Sequence, residues 1–206
     1  MGMSDAGLRG AEATISRCVF MGRDAVVKTR PPKGYRIPEL DSMIRSSRTR
    51  SEARIMREAR MAGVRTPCIY DVDLAGCAIT MERLEGPTLK EYLDSHPPDA
   101  MEVCTEIGRC IASIHRAGIC HGDLTTSNMI LSGGDVCLID FSMGSTDVTL
   151  EDIGVDLRLL ERAFGSAHVD MVQEFAALMD SYYGCIDDAD AVRKKLEDIK
   201  NRGRYT

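Results

Sequence analysis

The chain has 206 residues, 26 Lys/Arg against 32 Asp/Glu, a formal charge of −6 and 44% hydrophobic residues. That length suits one large domain or two lobes sharing a cleft, with a substantial core. No apolar run approaches membrane-spanning length and the start lacks a basic-then-apolar leader pattern, so a cytoplasmic protein with no membrane partner is expected.

From the start to about residue 30, short β-prone segments separated by Gly7, Gly10 and Gly22 predict a meander. Its last apolar run, Ala25-Val26-Val27-Lys28, ends in a lysine whose ammonium is placed to reach the α and β phosphates of a nucleotide. A lysine at a strand end is, in the plainer reading, simply solvated. Residues 31–37, Pro-Pro-Lys-Gly-Tyr-Arg-Ile, predict a mobile basic loop. Helical character follows over Arg48–Ala59 and stops at Gly63, with Pro67 beyond. Glu52 is the chosen carboxylate partner of Lys28 and Glu58 its rival, although both also suit surface pairing with neighbouring arginines. Strands at about 68–73 and 77–82 complete this lobe. Glu82-Arg83-Leu84-Glu85-Gly86-Pro87 then forms the hinge, where backbone groups at Glu82 and Leu84 would meet an adenine edge with Met81 behind it.

Beyond the hinge the pattern turns helical. Val103, Ile107, Ile111 and Ile114 recur at spacings of three and four, so one face of a helix at about 99–117 is core. Similar patterns run from Asp152 to Phe164, from Val169 to Tyr183, and over about 188–200. The expected fold class is α+β, a minimal two-lobed protein-kinase-like fold. Residues 1–85 form an N-terminal antiparallel β-sheet lobe with one main helix, and residues 86–206 a C-terminal helical catalytic lobe with a basic tail.

Between the first two of these helices lies the run His121-Gly122-Asp123-Leu124-Thr125-Thr126-Ser127-Asn128, followed twelve residues on by Asp140 in Leu138-Ile139-Asp140-Phe141. Two carboxylates and an amide at this spacing match a phosphoryl-transfer site of the protein-kinase type. Asp123 would accept a hydroxyl proton or orient the attacking group, and Asn128 and Asp140 would hold a magnesium ion, which prefers hard oxygen ligands. The apolar runs Met129–Leu131 and Val136–Ile139 flank Ser132-Gly133-Gly134-Asp135 and predict a hairpin that returns Asp140 beside Asn128. A loop whose Asp and Asn merely form turns is the plain alternative. His121 is expected to brace this loop by hydrogen bonds.

Eight cysteines, at 18, 68, 77, 104, 110, 120, 137 and 185, form no C-x-x-C pair and mostly lie in apolar stretches. They read as small buried hydrophobes in a reducing compartment, and the four histidines are too scattered for a metal site. Charge is strongly segregated: residues 23–65 carry 12 Lys/Arg against 5 Asp/Glu, residues 66–192 carry 6 against 23, and residues 193–206 carry 6 against 2. Nucleic acid, an acidic partner protein, or plain solvated helix surface would each suit the basic regions.

Together these residues resemble the small atypical kinase/ATPase subunit of the KEOPS (EKC) complex, a relative of the RIO kinases. The resemblance covers nearly the whole chain. It includes Gly10-Ala11-Glu12-Ala13 in place of a glycine-rich nucleotide loop, Lys33–Asp41, Arg48–Arg54 and Asp156–Phe164. It implies that Asp123 is the catalytic carboxylate, that Asn128 and Asp140 bind Mg2+, and that Lys28 with Glu52 holds the phosphates of ATP. It also implies a transferase-like KEOPS partner and other KEOPS subunits, a role in threonylcarbamoyladenosine formation on tRNA, and serine/threonine protein kinase or ATPase activity. Arg202 and Arg204 in the tail are the candidate tRNA contacts. Only sixteen residues separate Asp140 from Asp156, too few for a long activation segment and a peptide platform. Water, a partner's serine or the chain's own hydroxyls are thus the expected acceptors. Two rivals share parts of the pattern: a small-molecule kinase of the aminoglycoside or choline type, which needs additional helices for its alcohol pocket, and a non-catalytic nucleotide-binding scaffold.

Overall fold

The computed structural model describes residues 8–9 and 13–202. Its front part is an antiparallel sheet of order β1-β2-β3-β5-β4, built from β1 (Leu8–Arg9), β2 (Thr14–Phe20), β3 (Arg23–Thr29), β4 (Ile69–Asp73) and β5 (Ala78–Glu82). The β2–β3 hairpin closes on Met21 and Gly22, both at positive φ (49° and 78°), the turn geometry that follows the natural strand twist.

Helix α1 (Pro38–Met61) lies between β3 and β4 in the chain. It starts ten residues before the expected Arg48. Pro38 sets the helical entry, and Glu39 and Asp41 put negative charge in the first turn, near the positive end of the helix dipole. In residues 38–47 Leu40 and Met43 are exposed, so this first part of the helix presents no buried apolar stripe. The buried stripe of α1 is partly ionic: Asp41, Thr49 and Glu52 precede Ile55, Met56 and Ala59.

The second lobe contains α2 (Leu89–Asp94), α3 (Ala100–Arg116), β6 (Ile119–Cys120), a 3-10 turn at Thr126–Asn128, β7 (Met129–Ser132), β8 (Asp135–Leu138), β9 (Ser145–Thr146), α4 (Leu150–Ala167), α5 (Val172–Cys185) and α6 (Ala189–Arg202). Helix α2 is absent from the sequence expectation. Its signal is the capping box of Thr88 and Glu91, which satisfies backbone donors reciprocally at the helix start. Thr149 and Asp152 make the same arrangement on α4.

Val103, Ile107, Ile111 and Ile114 face inward from α3 as the periodicity requires, and each buried aliphatic side chain contributes about 1.5–3 kcal/mol. Gly108 lets α3 approach α5, because a Cβ there would run into the Leu178 carbonyl and the Tyr182 amide. One continuous apolar cluster joins the lobes, from Ile79 and Met81 of the sheet through Ile55 and Met56 of α1 to Leu138, Phe141 and the helices behind them.

Candidate active site

The sequence expectation placed Lys28 near a carboxylate, and β3 delivers it to two. Lys28 Nζ lies 2.7 Å from Glu52 Oε1 and 2.7 Å from Asp140 Oδ1. The lysine and Glu52 are buried, whereas the Asp140 side chain is 39% exposed and opens toward solvent. The rival Glu58 instead lies beside Arg54 on its own helix, at 3.9 Å. Lys28 and Asp140 belong to different lobes, so this contact spans the cleft between them.

Asp140 leaves β8 with φ of 60°, a left-handed conformation uncommon outside glycine. Burial works to raise its pKa, but the Lys28 ammonium and the hydrogen bonds from Ser142 hold it below the ordinary carboxylate value. Ser142 Oγ donates to Asp140 Oδ1 at 2.5 Å, with the Ser142 amide at 3.3 Å. A serine in the position where kinases commonly carry glycine thus ties the carboxylate down.

The β7–β8 hairpin forms as expected, in the register Met129↔Leu138 through Ser132↔Asp135. Ile139 N then donates to Asn128 O at 3.0 Å, which sets Asp140 next to Asn128. Asn128 Nδ2 donates to Asp123 Oδ2 (2.8 Å) and to the Asp123 carbonyl (2.9 Å). The amide oxygen of Asn128 is consequently its remaining polar atom, and Asp123 is exposed at the cleft surface.

His121 braces this loop. The Asp123 amide donates to its Nδ1 (3.3 Å), so Nε2 carries the proton and donates to the Ile139 carbonyl at 2.9 Å. The ring packs on Phe141, centroids 4.5 Å apart. Burial lowers its pKa despite the neighbouring carboxylates, keeping the imidazole neutral.

Beneath the loop, Asp156 of α4 accepts from the His121 amide (2.7 Å), the Gly122 amide (2.9 Å) and His115 Nε2 (3.2 Å). Sequence reading singled out neither Asp156 nor His115 for this role; the available signal was an acid inside an otherwise apolar helix face. Gly122 is required here, since its φ is 80° and a Cβ would collide with the Met143 carbonyl. His115, Cys120 and Asp156 do gather within 4.8 Å, although sequence spacing gave no hint of it. The hydrogen bonds to both Asp156 oxygens make this a structural tie. Buried cysteines elsewhere stay protonated: burial pushes the Cys104, Cys110 and Cys137 thiols up to about 12.

At the hinge, Met81 is 7% exposed at the back of the sheet. The Glu82 side chain turns away, accepting from the Cys68 amide (3.0 Å) and lying 3.7 Å from Arg65, and its own backbone amide donates to the Cys68 carbonyl at 2.8 Å. Leu84 follows β5, half-buried. Ala13 lies just before β2, while Gly10, Ala11 and Glu12 fall outside the described residues, as does Arg204. Arg202 pairs with Glu151 at 2.6 Å, tying α6 to the first turn of α4. Helix α4 begins ten residues after Asp140, with β9 paired to β6 between them. Arg54 of α1 reaches Thr146 of β9 at 3.1 Å. A separate cleft of about 530 Å3, lined in part by Arg54, Arg57, Arg60 and Ile69, contains none of the candidate catalytic groups.

Residues 39–182 match the lipopolysaccharide kinase (Kdo/WaaP) family. The chain is 45% identical to the KEOPS complex subunit Bud32 of Pyrococcus abyssi, over 96% of this chain and 94% of that protein. Against the EKC/KEOPS complex subunit Tp53rkb of Mus musculus the identity is 38%, over 95% and 85%. It is also 44% identical to a probable bifunctional tRNA threonylcarbamoyladenosine biosynthesis protein of Methanothermobacter thermautotrophicus, covering 96% of this chain but only 36% of that longer protein. In fold it is similar to the Rio2 kinase of Chaetomium thermophilum, solved as an ADP/Mg2+-phosphoaspartate complex, with a TM-score of 0.69, 15% identity, and 98% of this chain and 71% of that one covered. No helix among the described residues is long and apolar enough to cross a membrane. The chain thus belongs to the Bud32 family and has its kinase-like two-lobed fold.

Proposed function

We propose that this protein catalyses Mg2+- and ATP-dependent phosphoryl transfer, as an atypical serine/threonine protein kinase or ATPase. It would do so in the cytoplasm as a KEOPS subunit, with a transferase-like partner and the other subunits, supporting threonylcarbamoyladenosine formation on tRNA. The observation that carries the reading is the contact of Lys28 with both Glu52 and Asp140, which puts a buried ammonium beside a half-open carboxylate at the lobe boundary.

In this reading the lobes are residues 1–85 and 86–206, and ATP lies between them. Lys28, positioned by Glu52, neutralises phosphate oxygens. Ala13 with Gly10, Ala11 and Glu12 covers the phosphates, while Met81 and the backbone of Glu82 and Leu84 receive the base. The donor set suits Mg2+: the Asp140 carboxylate and the Asn128 amide oxygen are hard ligands, and such a site keeps several waters. When bound, the metal supplies charge neutralisation along the phosphates. Asp123 orients the acceptor hydroxyl or water and takes its proton, held in place by the Asn128 amide.

The short stretch between Asp140 and α4 leaves little for gripping a peptide, which favours water, a partner's serine or the chain's own hydroxyls as acceptor. Arg202 and Arg204 are the proposed tRNA contacts of the tail. The match to lipopolysaccharide kinases supports a small-molecule alcohol as a second reading. Radiolabelled ATP turnover, measured with and without tRNA and the transferase-like partner, tests the proposal. Wild type should turn over ATP, with stimulation by both additions, and Asp140→Ala or chelation of Mg2+ should abolish turnover. Unchanged turnover in Asp140→Ala would remove the proposal, and phosphorylation of sugars or amino alcohols in the same assay would favour the second reading.

A further inference from the structure

A second group of cations lies just past Lys28. Arg30 is two residues farther along the extended chain, so it emerges on the same face and roughly 7 Å on. It takes the other oxygen of the same carboxylate: Arg30 Nη2 lies 2.7 Å from Glu52 Oε2, while Lys28 holds Oε1. Arg30 is 3% exposed, yet its Nε and Nη1 have no hydrogen-bond partner among the described residues. Unmet donors on a buried charged group are costly, and native proteins rarely leave them so.

The cleft beside this guanidinium is lined by Arg30, Pro31, Lys33, Arg36, Arg45 and Arg48, five cations out of six residues. Among the described residues, two buried carboxylates face Arg30, Arg36 and Arg45. Glu52 is already shared with Lys28. Asp41 lies 2.6 Å from Arg45 Nε and 3.4 Å from Arg36 Nη1, and it also accepts from the Lys33 amide at 3.4 Å. Arg45 Nη1 donates to the Arg30 carbonyl at 3.2 Å, packing the start of α1 against the end of β3.

A water would give Arg30 a partner, but it would bring no negative charge to a guanidinium that shares its one carboxylate with Lys28. The inner space is small, about 10 Å3, enough for a single oxygen. A phosphate monoester or inorganic phosphate can insert one oxygen and leave the others at the mouth beside Arg36 and Arg45, and guanidinium groups match that geometry. A backbone diester carries less charge and has substituents on two sides, which obstruct the same approach.

We propose that this cleft is a binding site for a phosphate group that is not a diester, either free inorganic phosphate or the monoester of a phosphorylated side chain, held by Arg30, Arg36 and Arg45. It is distinct from the Lys28–Asp140 cleft and touches it through Glu52. An anion on Arg30 leaves Glu52 more fully to Lys28, so occupancy reports to the neighbouring site.

Isothermal titration of the full chain with inorganic phosphate, O-phosphoserine and dimethyl phosphate tests this. The wild type should bind the first two saturably and not the third. Tighter binding of phosphoserine assigns a phosphorylated side chain as the source, and equal binding assigns free phosphate. Arg30→Met should weaken binding about tenfold or more, the loss of one charge-assisted hydrogen bond. Arg36→Gln, a partly exposed position, should weaken it severalfold with circular dichroism unchanged, and it carries the test if Arg30→Met fails to fold. Lys28→Met should still bind phosphate. Absence of saturable binding to the wild type, equal binding of dimethyl phosphate, or loss in Lys28→Met with retention in Arg36→Gln would each overturn the proposal. The last outcome would place the anion in the Lys28–Asp140 cleft and leave the ATP reading standing.

Discussion

At Glu52 one carboxylate, 1% exposed, is divided between two cations that are themselves nearly inaccessible. Removing it strands Arg30 in the interior and leaves Lys28 with Asp140 alone, and breaking a buried pair from one side costs about 3–5 kcal/mol. Glu52→Ala should therefore lower unfolding free energy by that amount in urea titrations. A loss below about 1 kcal/mol, the range of exposed pairs, would mean that water reaches the cluster. His121 makes a pH-dependent contribution of defined sign. Its folded pKa lies below the 6.5 of the free side chain, so the stability it lends is complete above that value and is lost as pH falls through the folded pKa. His168, also lowered by burial, acts in the same direction. Stability should fall on acidification below about 6.5, and His121→Gln, which can still donate to the Ile139 carbonyl, should flatten that slope in denaturation curves taken between pH 7 and 5. Asp140, held low by Lys28, behaves as a carboxylate with depressed pKa: its share persists above 3.8 and is lost in stronger acid.

Elements show where sequence patterns carry information and where they do not. Helix α3 was legible because Val103, Ile107, Ile111 and Ile114 make a stripe that only a helix buries on one side. The β7–β8 hairpin was legible because Gly133 and Gly134, both at positive φ, separate two apolar runs. The start of α1 was not, since Leu40 and Met43 there stay exposed and the buried residue is the ionic Asp41, and six-residue α2 was too short for periodicity. The Lys28–Glu52 pairing was readable as a choice between two glutamates. The sharing of Glu52 with Arg30 and the Asp156 brace were not, because each joins residues distant in sequence; the Ser142 tether is local, but a serine two residues past Asp140 carries no pattern that marks it as a partner. Helix contacts also reverse the usual sign of a glycine substitution. Gly165 in α4 is exposed and has nothing within 4 Å of an added Cβ, so Gly165→Ala should stabilise by about 0.5–1 kcal/mol. Gly108→Ala drives a methyl into the backbone of α5 and should destabilise by about 1–3 kcal/mol, the range for overpacking. Thermal melts of the two variants side by side would show shifts of opposite sign, and a stabilised Gly108→Ala would mean that α3 and α5 sit farther apart.

Across the whole molecule, chemistry and cohesion are arranged differently. Charge divides the chain into a basic front, an acidic stretch after it and a basic tail, and the proposed cleft falls between the first two. The apolar core makes no such division: the same cluster contains Ile55, Met56, Ile79 and Met81 on one side and Leu89, Ile107, Leu138 and Phe141 on the other. Polar ties follow it across the boundary. Leu138 N donates to the Arg65 carbonyl at 2.9 Å, Arg65 Nη1 donates to the Ser132 carbonyl at 2.5 Å and lies 3.1 Å from Asp135, and Arg54 reaches Thr146. Interfaces between independently folding domains are usually more polar and smaller than this continuous packing. The lobes should accordingly unfold together in one cooperative step. Far-ultraviolet circular dichroism, which follows the helices of the second lobe most strongly, and hydrogen exchange of the β2–β3 and β3–β5 ladders should give the same midpoint in urea. A fragment of residues 86–206 should fail to reach native helix content, because Leu138 and Phe141 would lose their cover from α1. Separate midpoints for sheet and helices, together with a folded fragment, would show that the shared core is a contact between two domains and that the cleft can open without loosening either.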